Sequence, residues 1–241
     1  LFWELIDTGR AEYAGMANYE YQGTGVLMTF LCCAPEDTGD NLETIDELFA
    51  ERIAGPLGVD EVWSADLARR ATPDWADRAA ATGDCAWRGH AVHAAVQDEN
   101  AWAMGGVASH AGLFATARAV HRLVAAWTDA AAGREGVLQP GLVQHAWNRE
   151  AAAAGAAAAS PASTWALGWD TPSPGASSAG SRIGAGAVGH LGYTGTSIWV
   201  DPSRGVHVVL LTNRIAYGRT NDAIRALQPR LHDAVFAALD A

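Results

Sequence analysis

GHLGYTGTSIWVDP, residues Gly189 to Pro202, sets the terms for the whole chain. Glycines at 189, 192 and 195 stand beside a histidine and two threonines, just ahead of an alternating apolar segment. Strand interiors disfavour glycine, which loses chain entropy there and offers nothing to pack. A bare stretch at a strand edge therefore implies that something approaches the backbone closely. The sequence alone suggests a substrate.

Working outward, DPSRG follows as a turn and GVHVVLLTNRI as a second apolar strand, a hairpin signal. WALGWDT, residues 165–171, reads as a third strand, and SPGASSAGSRIGAGA between them as a glycine and serine loop. The expected strands are thus Trp165–Thr171, His190–Val200 and Val206–Asn213. A terminal helix, TNDAIRALQPRLHDAVFAALDA, is expected to kink or break at Pro229, which lacks an N–H and crowds the preceding turn.

Upstream the periodicity is helical. Leu42, Ile45, Leu48, Phe49 and Ile53 form a stripe behind Asn41 as a cap, and GPLG ends it. ARAVHRLVAAWTDAA, residues 117–131, predicts a strongly amphipathic helix, with a second over 139–149. Residues 1–40 read as irregular apart from VLMTFLCC, and 70–106 as loop. AAAAGAAAASPAS, residues 151–163, is low in complexity and carries no amphipathic pattern. Helices, then an antiparallel meander, then a helix make an α+β arrangement in one domain over 1–241.

Composition narrows the function. With 241 residues and 49% apolar content, a sizeable core is possible. The net charge of −11 argues against nucleic acid and against an anionic membrane surface. No run of eighteen apolar residues predicts a transmembrane helix. Three cysteines, Cys32, Cys33 and Cys85, include an adjacent pair and no C-x-x-C spacing. They read as buried thiols, neither a disulfide framework nor a zinc site. His90 and His93 are the one close histidine pair and lack acidic partners at ligand spacing, so no metal or other cofactor is expected. All sixteen basic residues are arginine; the chain has no lysine.

Three segments, in order, carry a family resemblance: WRGHAVHAAVQDENAWAMGGVASHAGLFATA from Trp87, ALGWDTPSPGASSAGS from Ala166, and GHLGYTGTSIWVDPSRGVHVVLLTNR from Gly189. Together they resemble the β-lactamase-related serine hydrolases, the group of class C β-lactamases, D-alanyl-D-alanine peptidases and esterases. The resemblance implies a β-lactamase/transpeptidase-like fold, an antiparallel sheet flanked by helices. It implies acyl transfer on a small ester or amide substrate.

Family members use three motifs. The Lys/His-x-Gly triplet of the site-lining strand is matched by His190, Leu191 and Gly192. The Tyr-x-Asn motif, whose tyrosine assists proton transfer, is matched by Tyr21, although Gly23 stands where a polar side chain is usual. Ser-x-x-Lys, supplying nucleophile and base, cannot occur in a chain without lysine. The expectation is that the chain is incomplete at its N-terminus, or that it descends from an enzyme that lost its nucleophile. Ser109 and Ser197 are the remaining serines to suspect.

The resemblance assigns Tyr21, His190 and Tyr193 to catalysis. The Tyr193 N–H would be one of two oxyanion donors, each worth about 3–4 kcal/mol. It assigns Gly192, Thr194 and Asn100 to substrate binding, with Asp98 and Glu99 ordering the neighbouring loop. His190 would offer a hydrogen bond or positive charge to a substrate carboxylate or to the tyrosine. Read singly, His190 is an ordinary strand-end histidine, Tyr21 a core tyrosine and His110 a structural one. Two N-terminal strands of the family sheet would be missing, which leaves VHVVLLTN as an open edge. Self-association, pairing with an N-terminal piece, or cover by LFWELI at residues 1–6 would follow. The compartment stays open between bacterial cytoplasm and periplasm.

Overall fold

In the computed structural model the described residues are 49–64, 74–81, 83–103, 106, 111–148 and 164–241. Along the chain they form β1 (Val62–Ser64), α1 (Trp75–Arg78), β2 (Gly83–Cys85), β3 (His90–Val92), α2 (Glu99–Ala103), β4 (Leu113–Ala115), α3 (Ala117–Ala131), α4 (Pro140–Ala146), β5 (Val188–Leu191), β6 (Ser197–Asp201), β7 (Val206–Leu210) and α5 (Ile224–Leu239). The class is α+β, as the sequence predicts.

β5, β6 and β7 make an antiparallel sheet in that order. Val188 faces Val200 across one pair, and Trp199 faces Val208 across the next. The expected strand His190–Val200 is therefore two strands, with Gly192–Thr196 as the turn between them. The physical reason is local: Gly192 N–H donates to the Thr196 carbonyl at 2.8 Å, and Gly195 N–H to the Gly192 carbonyl at 2.9 Å. Gly195 holds φ +98°, which a side chain would strain.

The expected strand Trp165–Thr171 is instead a tight turn. Trp165 bridges Asp170, and Asp170 exchanges two backbone bonds of 2.8 Å with Gly189. It adds a single rung to the free side of β5. β7 forms the opposite edge among the described residues.

α3 matches its predicted span. Thr116 caps it, its hydroxyl oxygen accepting from the Ala119 N–H at 3.2 Å. Its apolar stripe buries Ala119, Val124 and Ala130. Val124 packs with Val188 and Val200 of the sheet, and Trp169, Trp147 and Ile198 close around them. Each such valine contributes about 1.5–3 kcal/mol by leaving water. α4 starts with Pro140 as its first residue, where the missing N–H costs nothing.

The other sheet face meets α5. Ser197 and His232 join there at 3.3 Å, and Trp199 and Phe236 are fully buried. α5 runs as one helix through Pro229, so of the expected kink or break the break does not occur. Gln228, His232 and Phe236 form a buried stripe along it, so packing outweighs the lost hydrogen bond.

Residues 70–106, expected as loop, hold two short helices and the β2–β3 hairpin, in which Cys85 pairs with His90. Three-residue strands give too little periodicity to be seen in sequence. This hairpin docks on residues 214–217: a Cβ on Gly83 would stand 2.6 Å from the Ile215 carbonyl oxygen. Of the helix expected from Asn41, only its end is described, a π-helical turn Ala50–Ala54 stopped at Gly55.

Candidate active site

The turn Gly192–Thr196 is the centre of the candidate site, and its glycines answer first to the protein itself. A Cβ on Gly189 would meet the Trp199 ring at 2.4 Å and the Ile198 carbonyl at 2.5 Å. One on Gly192 would meet the Thr196 hydroxyl at 2.1 Å, and one on Gly195 the Thr212 hydroxyl at 2.6 Å. The ring and backbone oxygen at Gly189, and the φ of +98° at Gly195, require glycine there without a ligand, whereas at Gly192 the obstacle is a threonine hydroxyl that can turn away. The bare edge is first a packing requirement of the hairpin.

The carbonyls of the turn are tied back one after another. Arg214 donates from Nε to the Tyr193 carbonyl at 2.8 Å and from its backbone N–H to the Thr194 carbonyl at 2.8 Å. The Gly195 carbonyl accepts from the Thr212 hydroxyl at 2.6 Å and from Gln228 Nε2 at 3.3 Å. The N–H groups of Tyr193 and Thr194 donate to no acceptor among the described residues. Fixed carbonyls beside N–H groups that have no acceptor among the described residues are the kind of preorganised donors that an oxyanion would need. The Tyr193 ring is 54% exposed, with the Arg214 guanidinium 4.7 Å above it. Thr194 is half-buried beside it.

His190 points to the sheet face that carries Val188, Val200 and Ile198. Its ring is 5.8 Å from that of Trp165, edge to face, and Nδ1 lies 3.0 Å from the Leu191 carbonyl. With Nδ1–H donating, Nε2 is the acceptor nitrogen. Burial pushes the His190 pKa below its ordinary value, against the opposing pull of the Leu191 carbonyl and Asp170. The lowered pKa favours the neutral ring, which suits a hydrogen-bonding role better than that of a fixed positive charge.

Asn100 is exposed on α2, with its neighbour Glu99 paired to Arg219. Arg219 also lies 3.8 Å from Cys85 Sγ, and its carbonyl accepts from Arg214 Nη1 at 3.1 Å. Through Arg219 and Arg214, α2 is thus joined to the Tyr193 turn. Asp98 caps α2 by accepting from the Ala101 N–H at 2.8 Å, and Arg88 donates to the Val96, Gln97 and Asp98 carbonyls. Both acidic residues order the loop, as the sequence reading expects. A cleft of about 620 Å³ opens here between Asp84, Trp87, His90, Glu99 and Arg219.

Tyr21, Ser109 and His110 lie outside the described residues. Ser197 is buried, its hydroxyl against His232 Nε2 while His232 Nδ1 meets the Ser178 carbonyl at 2.7 Å. That pair is sealed under α5 and out of reach of substrate. Sequence reasoning missed Arg214 and Arg219. The one available signal was an arginine directly after the last apolar strand, in LLTNR.

No curated protein matches the sequence. Among solved structures, a beta-lactamase from Mycobacterium bovis aligns with a TM-score of 0.54 at 16% identity, covering 92% of this chain and 65% of that one. Unliganded simvastatin synthase from Aspergillus terreus aligns at 0.55 and 15% identity, covering 80% of this chain and 50% of the other. The chain thus spans one half to two thirds of the length of these structures, and at such identities the likeness is one of fold. The family model described as Beta-lactamase matches residues 3–228. Nearly the whole chain is covered by that match, and the protein belongs to the beta-lactamase family.

Proposed function

We propose that the chain forms the substrate-lining part of a serine hydrolase that works by acyl transfer on a small ester or amide. The observation that supports this best is the Tyr193 turn, where the carbonyls are hydrogen-bonded and the N–H groups of Tyr193 and Thr194 have no acceptor among the described residues. In this reading Tyr193 N–H receives the oxyanion, and His190 hydrogen-bonds the substrate or Tyr21. Gly192, Thr194 and Asn100 border the bound acyl group. The serine and lysine of Ser-x-x-Lys come from a segment that is not among these 241 residues.

A second reading is favoured by one specific fact, the absence of any lysine. It makes the protein a binding relative that keeps the pocket and performs no chemistry. The coding sequence upstream of Leu1 separates the two: an in-frame Ser-x-x-Lys supports the hydrolase, and a start codon beside Leu1 supports the binding protein.

The assay is hydrolysis of a chromogenic ester and a chromogenic β-lactam by purified 1–241. Loss of the nucleophile of such a unit costs on the order of 10⁶ in kcat, so turnover near background is expected. Robust turnover abolished by Tyr21→Phe and His190→Ala would sink the claim that the nucleophile lies elsewhere.

A further inference from the structure

On the α3 face of the sheet, away from the Tyr193 turn, two histidines meet. His121 belongs to α3 and His207 to β7, and His121 Nδ1 lies 2.6 Å from His207 Nε2. Their ring centroids are 4.7 Å apart at an interplanar angle of 31°. Both backbones are held by rigid elements, because Val124 of α3 packs against Val188 and Val200 of the same sheet. The pair is open to solvent, with His121 exposed and His207 half-buried.

Nothing nearby explains the meeting as an ion pair. Among the described residues no carboxylate salt-bridges either ring. The cationic neighbours on α3 are engaged elsewhere: Arg118 with Glu61, and Arg122 with the Gly58 carbonyl. Burial of His207 and the proximity of His121 both push the His207 pKa below its ordinary value. One proton lies between the two facing nitrogens. When it moves to the far nitrogen of the donor ring, a change of tautomer, both facing nitrogens present lone pairs to a divalent cation.

We propose that His121 and His207 form a two-histidine site for a late first-row divalent cation. Imidazole nitrogen is a preferred donor for nickel, copper and zinc. Two nitrogens at about 2.05 Å from one ion stand roughly 2.9 Å apart at a right angle and roughly 3.3 Å apart at a tetrahedral angle. From 2.6 Å, the first needs the smaller separation of the rings, which favours the octahedral or tetragonal ions nickel and copper. Among the described residues no cluster of three or more metal-binding side chains forms. The remaining coordination positions therefore go to water or to a donor from outside the chain. Bound there, the ion would staple α3 to the edge strand β7.

The test is titration of chelator-treated 1–241 with nickel chloride and, separately, zinc chloride, at pH 7.5. Calorimetry gives the stoichiometry and thermal unfolding gives the stabilisation. One ion per chain is expected, with a midpoint that rises with ion concentration because the ion binds only the folded site. His121→Ala and His207→Ala should each weaken binding by about tenfold or more. His93→Ala should leave it unchanged. Melting without metal, measured for every variant, confirms that each is folded. Binding of undiminished affinity in the His121→Ala/His207→Ala double variant would overturn the proposal, as would the absence of saturable binding in the parent chain.

Discussion

Arg214 holds Tyr193 from two directions: its Nε donates to the Tyr193 carbonyl at 2.8 Å, and its guanidinium stands 4.7 Å over the Tyr193 ring. Nη1 continues to the Asn221 carbonyl at 2.6 Å. One planar side chain thus locks the turn that presents the proposed oxyanion donors. Arg214→Lys keeps the charge but loses the fork. The expected result is a loss of about 1.5–3 kcal/mol in urea unfolding, the range for hydrogen bonds to charged groups. Amide exchange at Gly192 and Gly195, whose N–H groups are hydrogen-bonded within the turn, should quicken. Unchanged exchange would mean that the hairpin bonds alone hold the turn.

Gly189 tests whether the bare edge is a packing requirement. Gly189→Ala places a methyl group 2.4 Å from the Trp199 ring and 2.5 Å from a backbone oxygen, with no flexible side chain to give way. A loss of about 1–3 kcal/mol is expected from overpacking. Gly186→Ala meets nothing within 4 Å and serves as the control, with a change near zero or slightly stabilising. Equal unfolding midpoints for the two variants would count against the close approach at Gly189.

Stability should fall as the solution is acidified, in two windows. Burial lowers the pKa of His190, His207 and His232 in the folded protein. The unfolded chain then binds more protons than the folded one, so stability rises with pH through this range. It is lost as pH falls below about 6.5, the ordinary histidine value. Asp201 and Asp233 add the second window. Burial alone would raise both, but Ser203, Gly184 and Arg204 around Asp201, and Ser181 and Arg182 around Asp233, hold both below the ordinary carboxylate value. Their contribution is present above about pH 4 and is lost as pH falls through their folded values. In His232→Gln, unfolding measured between pH 7.5 and 5 should show a shallower slope than in the parent. An identical slope would remove His232 from this account.

The edge strand β7 carries the remaining prediction. Val206–Leu210 pairs on one side with β6 and on the other with no strand among the described residues. An apolar, β-branched edge of this kind seeks a partner. Sedimentation of purified 1–241 should show self-association, and exchange over Val206–Asn213 should slow as concentration rises. A monomer at every concentration with fast-exchanging amides there would show that the edge tolerates water unaided.

The sequence by itself determined the α+β class, the span of α3, the start of β7, and the family. These rest on patterns that are local or continuous: a 3.6-residue stripe behind a threonine cap, alternating strands, and three long segments in order. It did not reveal that Gly189–Pro202 turns back on itself, because a strand and a hairpin differ there only in which amides meet, and glycine permits both. It also expected a kink or a break at Pro229, where burial of His232 and Phe236 against the sheet carries the helix through without a break. Arg214 and Arg219 were invisible as site residues, since their partners Tyr193, Glu99 and Cys85 lie 21, 120 and 134 positions away. The His121–His207 pair spans 86 positions. Such contacts exist only once α3 and β7 are packed, because the backbone course, and not the neighbouring residues, brings those nitrogens together.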